Sequence, residues 1–151
     1  MVSPRTVPFF NYPALFASQE HEIMAVFRDV LSRGAYILQR DLADFEANLR
    51  AYLKVKHAFG VADGTNALQL ALLAIGCGPG DEVIVPAHTY IASAAAVHFV
   101  GAKPVLCECG SDHMIDAASA RALVTKRTKV IMPVQLNGRT SNMRDVMALA
   151  R

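Results

Sequence analysis

The stretch VADGTNALQL, residues 61–70, decides the fold of this chain. It joins the end of an apolar segment, an Asp-Gly turn and the start of an apolar helix. The first backbone N–H groups of such a helix have no partner inside it, and the macrodipole adds roughly half a positive charge there. Gly64 lets an anion approach the backbone, and Thr65 offers a hydroxyl. The stretch predicts either a phosphate-binding helix start or, more simply, a helix capped by Asp63 in an α/β core.

Downstream of this turn, apolar runs alternate with helical patterns. The continuous apolar run EVIVP, residues 82–86, is typical of a buried parallel strand. The alternation predicts βαβ units and a mostly parallel sheet with helices on both faces. Predicted strands are 57–62, 82–86, 104–108 and 129–134, and predicted helices are 66–75, 89–100, 117–124 and one from 143 onward. The helix at 66–75 is apolar nearly all round, so we expect it to be buried.

Ligands of open parallel sheets bind at the carboxyl edge, where right-handed crossovers gather the loops that follow the strands. The candidate loops are 63–66, 87–90, 109–113 and 135–140. The glycines of GCGPG, residues 76–80, follow a helix and precede a strand. That is the reverse of a dinucleotide-binding context, so they predict a helix stop and a turn.

The first third of the chain has a different pattern. Residues 1–17 carry three prolines among aromatic residues and predict an extended arm. Residues 18–55 predict a helix pair, with helices at 19–33 and 42–54. Ser18 is the expected cap of the first helix, and Gly34 is its expected stop. Residues 56–151 then form the α/β part.

Composition excludes several classes of function. The 151 residues carry a formal net charge of +2 with scattered Lys and Arg, which argues against a nucleic-acid partner. No signal peptide or unbroken membrane-spanning segment is evident, so we expect a cytoplasmic protein without a membrane partner. Cys107 and Cys109 could form a metal pair, but no second ligand pair has zinc-site spacing. Reduced thiols are the favoured interpretation, with no metal site.

Two long segments carry a family resemblance. GVADGTNALQLALLAIGCGPGDEVIVPAHTYIASAAAVHFVGAKPVL, residues 60–106, resembles the DegT/DnrJ/StrS family of pyridoxal-phosphate-dependent sugar aminotransferases. The likeness continues through DHMIDAASARALVTKRTKVIMPVQLNGRTSNMRDVMALA, residues 112–150. The helix pair and GAYI, residues 34–37, are also similar to that family. Nearly the whole chain is covered, and several motifs agree in order and spacing.

The resemblance implies a fold, a cofactor and a reaction. The fold is the aspartate-aminotransferase-like (type I) large α/β domain, and the cofactor is pyridoxal 5'-phosphate. The reaction gives an amino group from an amino-acid donor, with glutamate expected, to a nucleotide-linked keto-sugar. The family forms homodimers. Gly64, Thr65 and Asn66 match the segment that holds the cofactor phosphate, and Tyr90 matches the aromatic residue that stacks on the pyridine ring. Tyr36 and Gln135 match the substrate side, although both also suit ordinary surface loops.

Departures from the family pattern leave alternatives open. Asp63 stands where relatives have a small polar residue, and it suits a phosphate only if it points away or caps the helix. QLNG, residues 135–138, replaces the frequent His-Leu-Tyr-Gly. The family's Schiff-base lysine and its pyridine-binding carboxylate fall after residue 151, so we expect no catalytic residue within this chain and only the first part of the large domain. The alternatives are an inactive fragment or phosphate-binding module, and a dehydratase relative with histidine at the lysine position.

Overall fold

The computed structural model describes residues 7–151, which divide between Gly60 and Val61 into two compact units. The first unit contains α1 (Tyr12–Ser32) and α2 (Arg40–Leu53). The second contains α3 (Gly64–Ala74), β1 (Glu82–Pro86), α4 (Ala92–Phe99), β2 (Lys103–Cys107), α5 (Ala117–Ala122), β3 (Thr128–Ile131), a 3-10 turn (Leu136–Gly138) and α6 (Met143–Leu149). None of the helices within residues 7–151 is both long and apolar enough to cross a membrane.

α1 begins earlier than the sequence pattern predicts. The side chain of Asn11 accepts a hydrogen bond from the Ala14 amide at 3.2 Å, and Pro13 lies in the first turn, where its missing N–H costs no helical bond. The extended arm predicted for residues 1–17 is therefore wrong from residue 12 onward, and residues 1–6 lie outside the described range. Ser18 is not a cap, because it lies inside α1 and its hydroxyl donates to the Leu15 carbonyl.

The predicted end of α1 is confirmed. Gly34 adopts a positive φ of 62°, and its amide donates to the Leu31 carbonyl at 3.1 Å. An ion-pair cluster joins the two helices, since Arg33 contacts both Asp29 and Asp41 at 2.9 Å. The hydrogen bonds from Arg33 hold the pKa of each of these carboxyl groups below its usual value.

The second unit is built on a parallel sheet, as predicted. Its strand order is β2-β1-β3, and β1 pairs in parallel with both neighbours. All five residues of β1 are buried, which matches the continuous apolar run. Residues 57–62 form no strand, contrary to prediction. The described strands fill both edges of β1, and the Gly60 amide donates to the Glu46 side chain at 2.7 Å instead of to a strand.

Two apolar clusters cover the two faces of this sheet. Val83 and Val85 of β1 face one cluster, and Ile84 faces the other, as the alternation of side chains along a strand requires. The first cluster includes residues of α3 and α4, and the second includes residues of α5 and α6. Helices therefore cover both faces, as predicted. The prediction that α3 is buried is wrong for most of the helix, because Leu72 is its only buried residue.

A buried carboxylate ties the amino ends of the strands together. Glu82, at the start of β1, is 3% exposed. It accepts hydrogen bonds from the Thr125 hydroxyl at 2.6 Å and from the Arg127 guanidinium at 2.7 Å. These bonds, that of Thr125 foremost, lower the pKa of the Glu82 carboxyl. Because Thr125 and Arg127 lie just before β3, the network fixes β3 against β1.

Candidate functional site

Two backbone donors at the amino end of α3 have no partner within residues 7–151. The carboxylate of Asp63 accepts a hydrogen bond from the Asn66 amide at 2.8 Å, and the Asp63 carbonyl accepts one from the Ala67 amide at 3.0 Å. The amides of Gly64 and Thr65 precede these and have no acceptor within residues 7–151. Asp63 therefore caps the helix, which is the arrangement that makes its carboxylate compatible with a neighbouring phosphate.

The space above this first turn is open. A Cβ built on Gly64 would meet no atom within 4 Å, so a ligand can reach the backbone there. Thr65 and Asn66 are half-buried, and the Asn66 side-chain amide donates to Gln69 at 3.3 Å. Two free amides, a threonine hydroxyl and an open approach fit a phosphate group at a helix start.

The direction of α3 places this site at the carboxyl edge of the sheet. Beyond the other end of the helix, the Gly76 carbonyl accepts a hydrogen bond from Lys129 at 2.6 Å, and Lys129 belongs to the first residues of β3. The carboxyl end of α3 therefore lies at the amino edge of the sheet. Since the helix runs back across the sheet, Gly64 lies toward the edge where β1 ends.

Tyr90 follows β1 at that same edge. Its side chain is 74% exposed, and no aromatic ring packs against it within residues 7–151. Its carbonyl accepts from the Ser93 amide at 3.1 Å, and the hydroxyls of Thr89 and Ser93 lie 2.8 Å apart. The backbone before α4 is thus ordered while the phenol ring remains free to cover a ligand.

Gln135 follows β3, and its side chain forms contacts that order the loop in which it lies. Its side-chain oxygen accepts from the Ser141 amide at 2.6 Å, and its nitrogen contacts the Met143 sulfur at 3.4 Å. Asn137 adopts a positive φ of 53° within this loop. The structure thus gives Gln135 a loop-ordering contact, and its substrate role stays a prediction.

Tyr36 lies in the first unit, between α1 and α2, and its side chain is 69% exposed. The predicted site residues therefore fall into two groups. Gly64, Thr65 and Asn66 share one helical turn, and Tyr90 and Gln135 follow neighbouring strands of the same sheet. Tyr36 belongs to the other unit, and its substrate role also stays a prediction.

A pair of histidines at the carboxyl edge was missed in the sequence. The rings of His88, after β1, and His113, after β2, lie 5.4 Å apart in an edge-to-face arrangement. Both histidines fall in loops predicted to share that edge. The two rings meet because β1 and β2 are direct neighbours in the sheet, and the spacing of the strands along the chain does not show this.

Two of the three cysteines lie in the core rather than at an accessible edge. Cys107 is buried, and burial raises the pKa of its thiol to about 11. Cys77 is also buried, while Cys109 is half-buried. Within residues 7–151, no three His, Cys, Asp or Glu side chains gather closely enough to hold a metal ion.

The solved structures similar to this chain define its class as a pyridoxal-phosphate-type aminotransferase fold. DesV from S. venezuelae, solved in complex with a ketimine intermediate, is 44% identical to this chain and superposes with a TM-score of 0.92. The match covers 98% of this chain and 40% of DesV. NtdA from Bacillus subtilis, solved with bound cofactor PMP, is 31% identical and superposes with a TM-score of 0.93. That match covers 99% of this chain and 35% of NtdA.

The family follows from the sequence comparison. The model of the DegT/DnrJ/EryC1/StrS aminotransferase family matches residues 17–151, and the chain belongs to that family. A dTDP-3-amino-3,4,6-trideoxy-alpha-D-glucose transaminase of Streptomyces venezuelae is 44% identical over 98% of this chain. The chain spans 39% of that relative, so it corresponds to less than half of such a protein.

Proposed function

We propose that this chain is part of a pyridoxal-phosphate-dependent aminotransferase that acts on a nucleotide-linked keto-sugar. The amino donor is an amino acid, with glutamate expected, and the working form is a cytoplasmic homodimer. Family membership supports the reaction class. The single structural observation that carries the proposal is the Asp63-capped start of α3, with two free amides below open space.

In this proposal the phosphate of the cofactor binds at the start of α3. The amides of Gly64 and Thr65 donate to it, and the Thr65 hydroxyl adds a third donor. The helix dipole favours its negative charge. Asp63 contributes by ordering the turn, because its carboxylate is engaged with the Asn66 amide. Asn66 supports the turn through Gln69.

Tyr90 is the residue that we assign to the cofactor ring. An exposed phenol after β1 offers a flat apolar face at the edge where α3 begins. Tyr36 and Gln135 are assigned to the substrate side, the latter through the loop that it orders. When bound, pyridoxal phosphate supplies the electron sink that amino-group transfer requires. We assign none of the lysines in this chain to a covalent role.

The binding experiment uses pyridoxamine 5'-phosphate, which forms no Schiff base with surface lysines. Calorimetric titration of the full chain is expected to show binding at least about tenfold tighter for this compound than for pyridoxamine, since charge-assisted bonds to phosphate contribute on the order of 1.5–3 kcal/mol. Gly64→Val closes the approach and should remove the difference. Equal binding of the two compounds contradicts the phosphate site.

The reaction class is tested on the coding frame beyond the codon for residue 151. An aspartate followed by a serine-flanked lysine supports the aminotransferase. A histidine in place of that lysine supports a sugar dehydratase. An immediate stop codon supports a non-catalytic phosphate-binding chain.

A further inference from the structure

We propose that His113 is a positioning residue that holds the loop bearing Tyr90, residues 87–91, in its cofactor-binding conformation. This inference rests on the proposed function of Tyr90. The observation behind it is the edge-to-face contact between His113 and His88, with ring centroids 5.4 Å apart and planes at 78°. That geometry is the favoured one for aromatic pairs. It links the loop after β2 to the loop after β1.

His113 is itself held firmly. Its amide donates to the Gly110 carbonyl at 2.9 Å, and the Gly110 amide donates to the Met114 carbonyl at 2.9 Å. The Asp112 side chain accepts from the Met114 amide at 3.0 Å. Met114 and Ile115 are buried, so the turn is anchored in the core. From the loop after β3, Arg139 donates to the Asp112 carbonyl at 3.3 Å.

The backbone of His113 is strained in this position. Its φ is +67°, in the left-handed region that a residue with a side chain enters at a cost in free energy. Glycine would relieve that strain. The histidine ring at this position makes the contact with His88, which glycine could not make.

On the other side of this contact lies His88, in the loop that bears Tyr90. Tyr90 is largely exposed and has no aromatic partner of its own within the described part of the chain. Its backbone is fixed on the following side by the Ser93 amide and by the start of α4. On the preceding side, the Ala87 amide bonds the Cys107 carbonyl, and His88 is the next residue. Within residues 7–151, the Thr89 and Tyr90 hydrogen bonds run only to α4, so the His113 ring is the contact that joins residues 88–90 to the loop after β2.

The test uses His113→Gly, with His113→Phe as the variant that keeps a ring. His113→Gly relieves strain, so we expect an unchanged or higher Tm. It also removes the ring contact, so we expect about three- to tenfold weaker binding of pyridoxamine 5'-phosphate. His113→Phe should restore most of the affinity. His98→Ala is the matched control, because His98 is an exposed histidine on α4 whose ring lies beside Phe99, and it should change nothing.

A second readout needs no cofactor. The chain contains no tryptophan, so Tyr90→Trp places a single tryptophan in the loop, which can be excited selectively over the remaining tyrosines. Adding His113→Gly to this reporter chain should lower the fluorescence anisotropy of Trp, and adding His113→Phe should not. Unchanged anisotropy and affinity in a folded His113→Gly protein would overturn the proposal. If His113→Gly does not fold, His113→Asn replaces it, since asparagine also tolerates a positive φ.

The two proposals fail in different ways. If the wild-type chain does not bind pyridoxamine 5'-phosphate, the phosphate site is wrong, while the anisotropy still decides the role of His113. If the wild type binds and His113→Gly binds equally well with an unchanged loop, the phosphate site stands and the role of His113 is wrong.

Discussion

The two units of the chain differ in where their stability comes from. In the first unit, Ala35 is the only buried hydrophobic residue among those described. Its helices are specified by local features, such as the Asn11 cap and the Arg33 ion pairs. In the second unit, buried side chains from β1, β2 and four helices form clusters on both faces of the sheet, and partly buried side chains of β3 pack against them.

This contrast shows that an amphipathic pattern specifies a helix without specifying its partner. Ile23 and Phe27 of α1 lie one helical turn apart on an apolar face, yet they are 44% and 55% exposed. The second unit has strands whose pairing brings distant residues into one core. We therefore expect its residues to dominate the free energy of unfolding. We also expect the exposed faces of the first unit to drive association in solution.

The largest expected effect compares two isoleucine-to-alanine variants. Ile84→Ala removes a side chain that is fully buried in β1, so it should lower the free energy of unfolding by about 2–5 kcal/mol. Ile23→Ala removes one that is 44% exposed on α1, so it should cost less than about 1 kcal/mol. Urea denaturation followed by circular dichroism measures both. Equal losses would mean that the units do not differ.

The next effect concerns Glu82 and pH. The pKa of Glu82 is lowered in the folded chain from an ordinary value of 4.5, so its stabilising contribution is fully present above that value. The contribution is lost as the pH falls through the folded pKa, because the protonated form binds Arg127 and Thr125 more weakly. Glu82→Gln should therefore lower stability at pH 7, and the difference from wild type should shrink on acidification below about 4.5. A difference that is constant from pH 7 to pH 3 contradicts the network.

A smaller effect separates the helix caps of the two units. Asp63→Ala removes the cap of α3 and should cost about 0.5–2 kcal/mol of global stability, with weaker phosphate binding. Asn11→Ala removes the cap of α1, at the edge of a unit with little core, so it should reduce helicity locally without changing the main unfolding transition. Asp63→Ser is the control that keeps a capping oxygen. The account is wrong if Asn11→Ala lowers global stability as much as Asp63→Ala does.

The mildest probe is thiol labelling of the native chain. Cys109 is half-buried, whereas Cys77 and Cys107 are buried and burial raises the pKa of both thiols. At pH 8, a thiol reagent should modify Cys109 first. The other two should react only as fast as the second unit opens. Rapid labelling of all three cysteines would contradict the burial of Cys77 and Cys107 in a stable core.

The sequence predicts the local features of the fold well. The predicted cap Asp63 accepts a hydrogen bond from the first turn of α3, and Asp116 and Asn142, which directly precede the predicted helices 117–124 and 143 onward, do the same for α5 and α6. EVIVP is the central strand, and residues 76–80 form a turn in which Gly76 and Gly80 have positive φ. These features depend on neighbouring residues, so the sequence shows them directly.

The features that it does not predict depend on distant partners. Residues 57–62 have a strand-like pattern, but a strand forms only where a neighbour pairs with it. The contact between His88 and His113 requires β1 and β2 to be adjacent, which no local pattern shows. The start of α1 was missed because proline suits both an extended arm and a first helical turn.

The most direct test of the phosphate site is an amide-resolved NMR titration of the full chain with pyridoxamine 5'-phosphate. We predict saturable shifts that are largest at the amides of Gly64 and Thr65, and none of comparable size with pyridoxamine. The chain also has cationic side chains at the amino edge of the sheet, Lys103 and Arg127, which contact Glu82. Shifts centred on that edge, or no saturable shift at Gly64 and Thr65, would contradict the account.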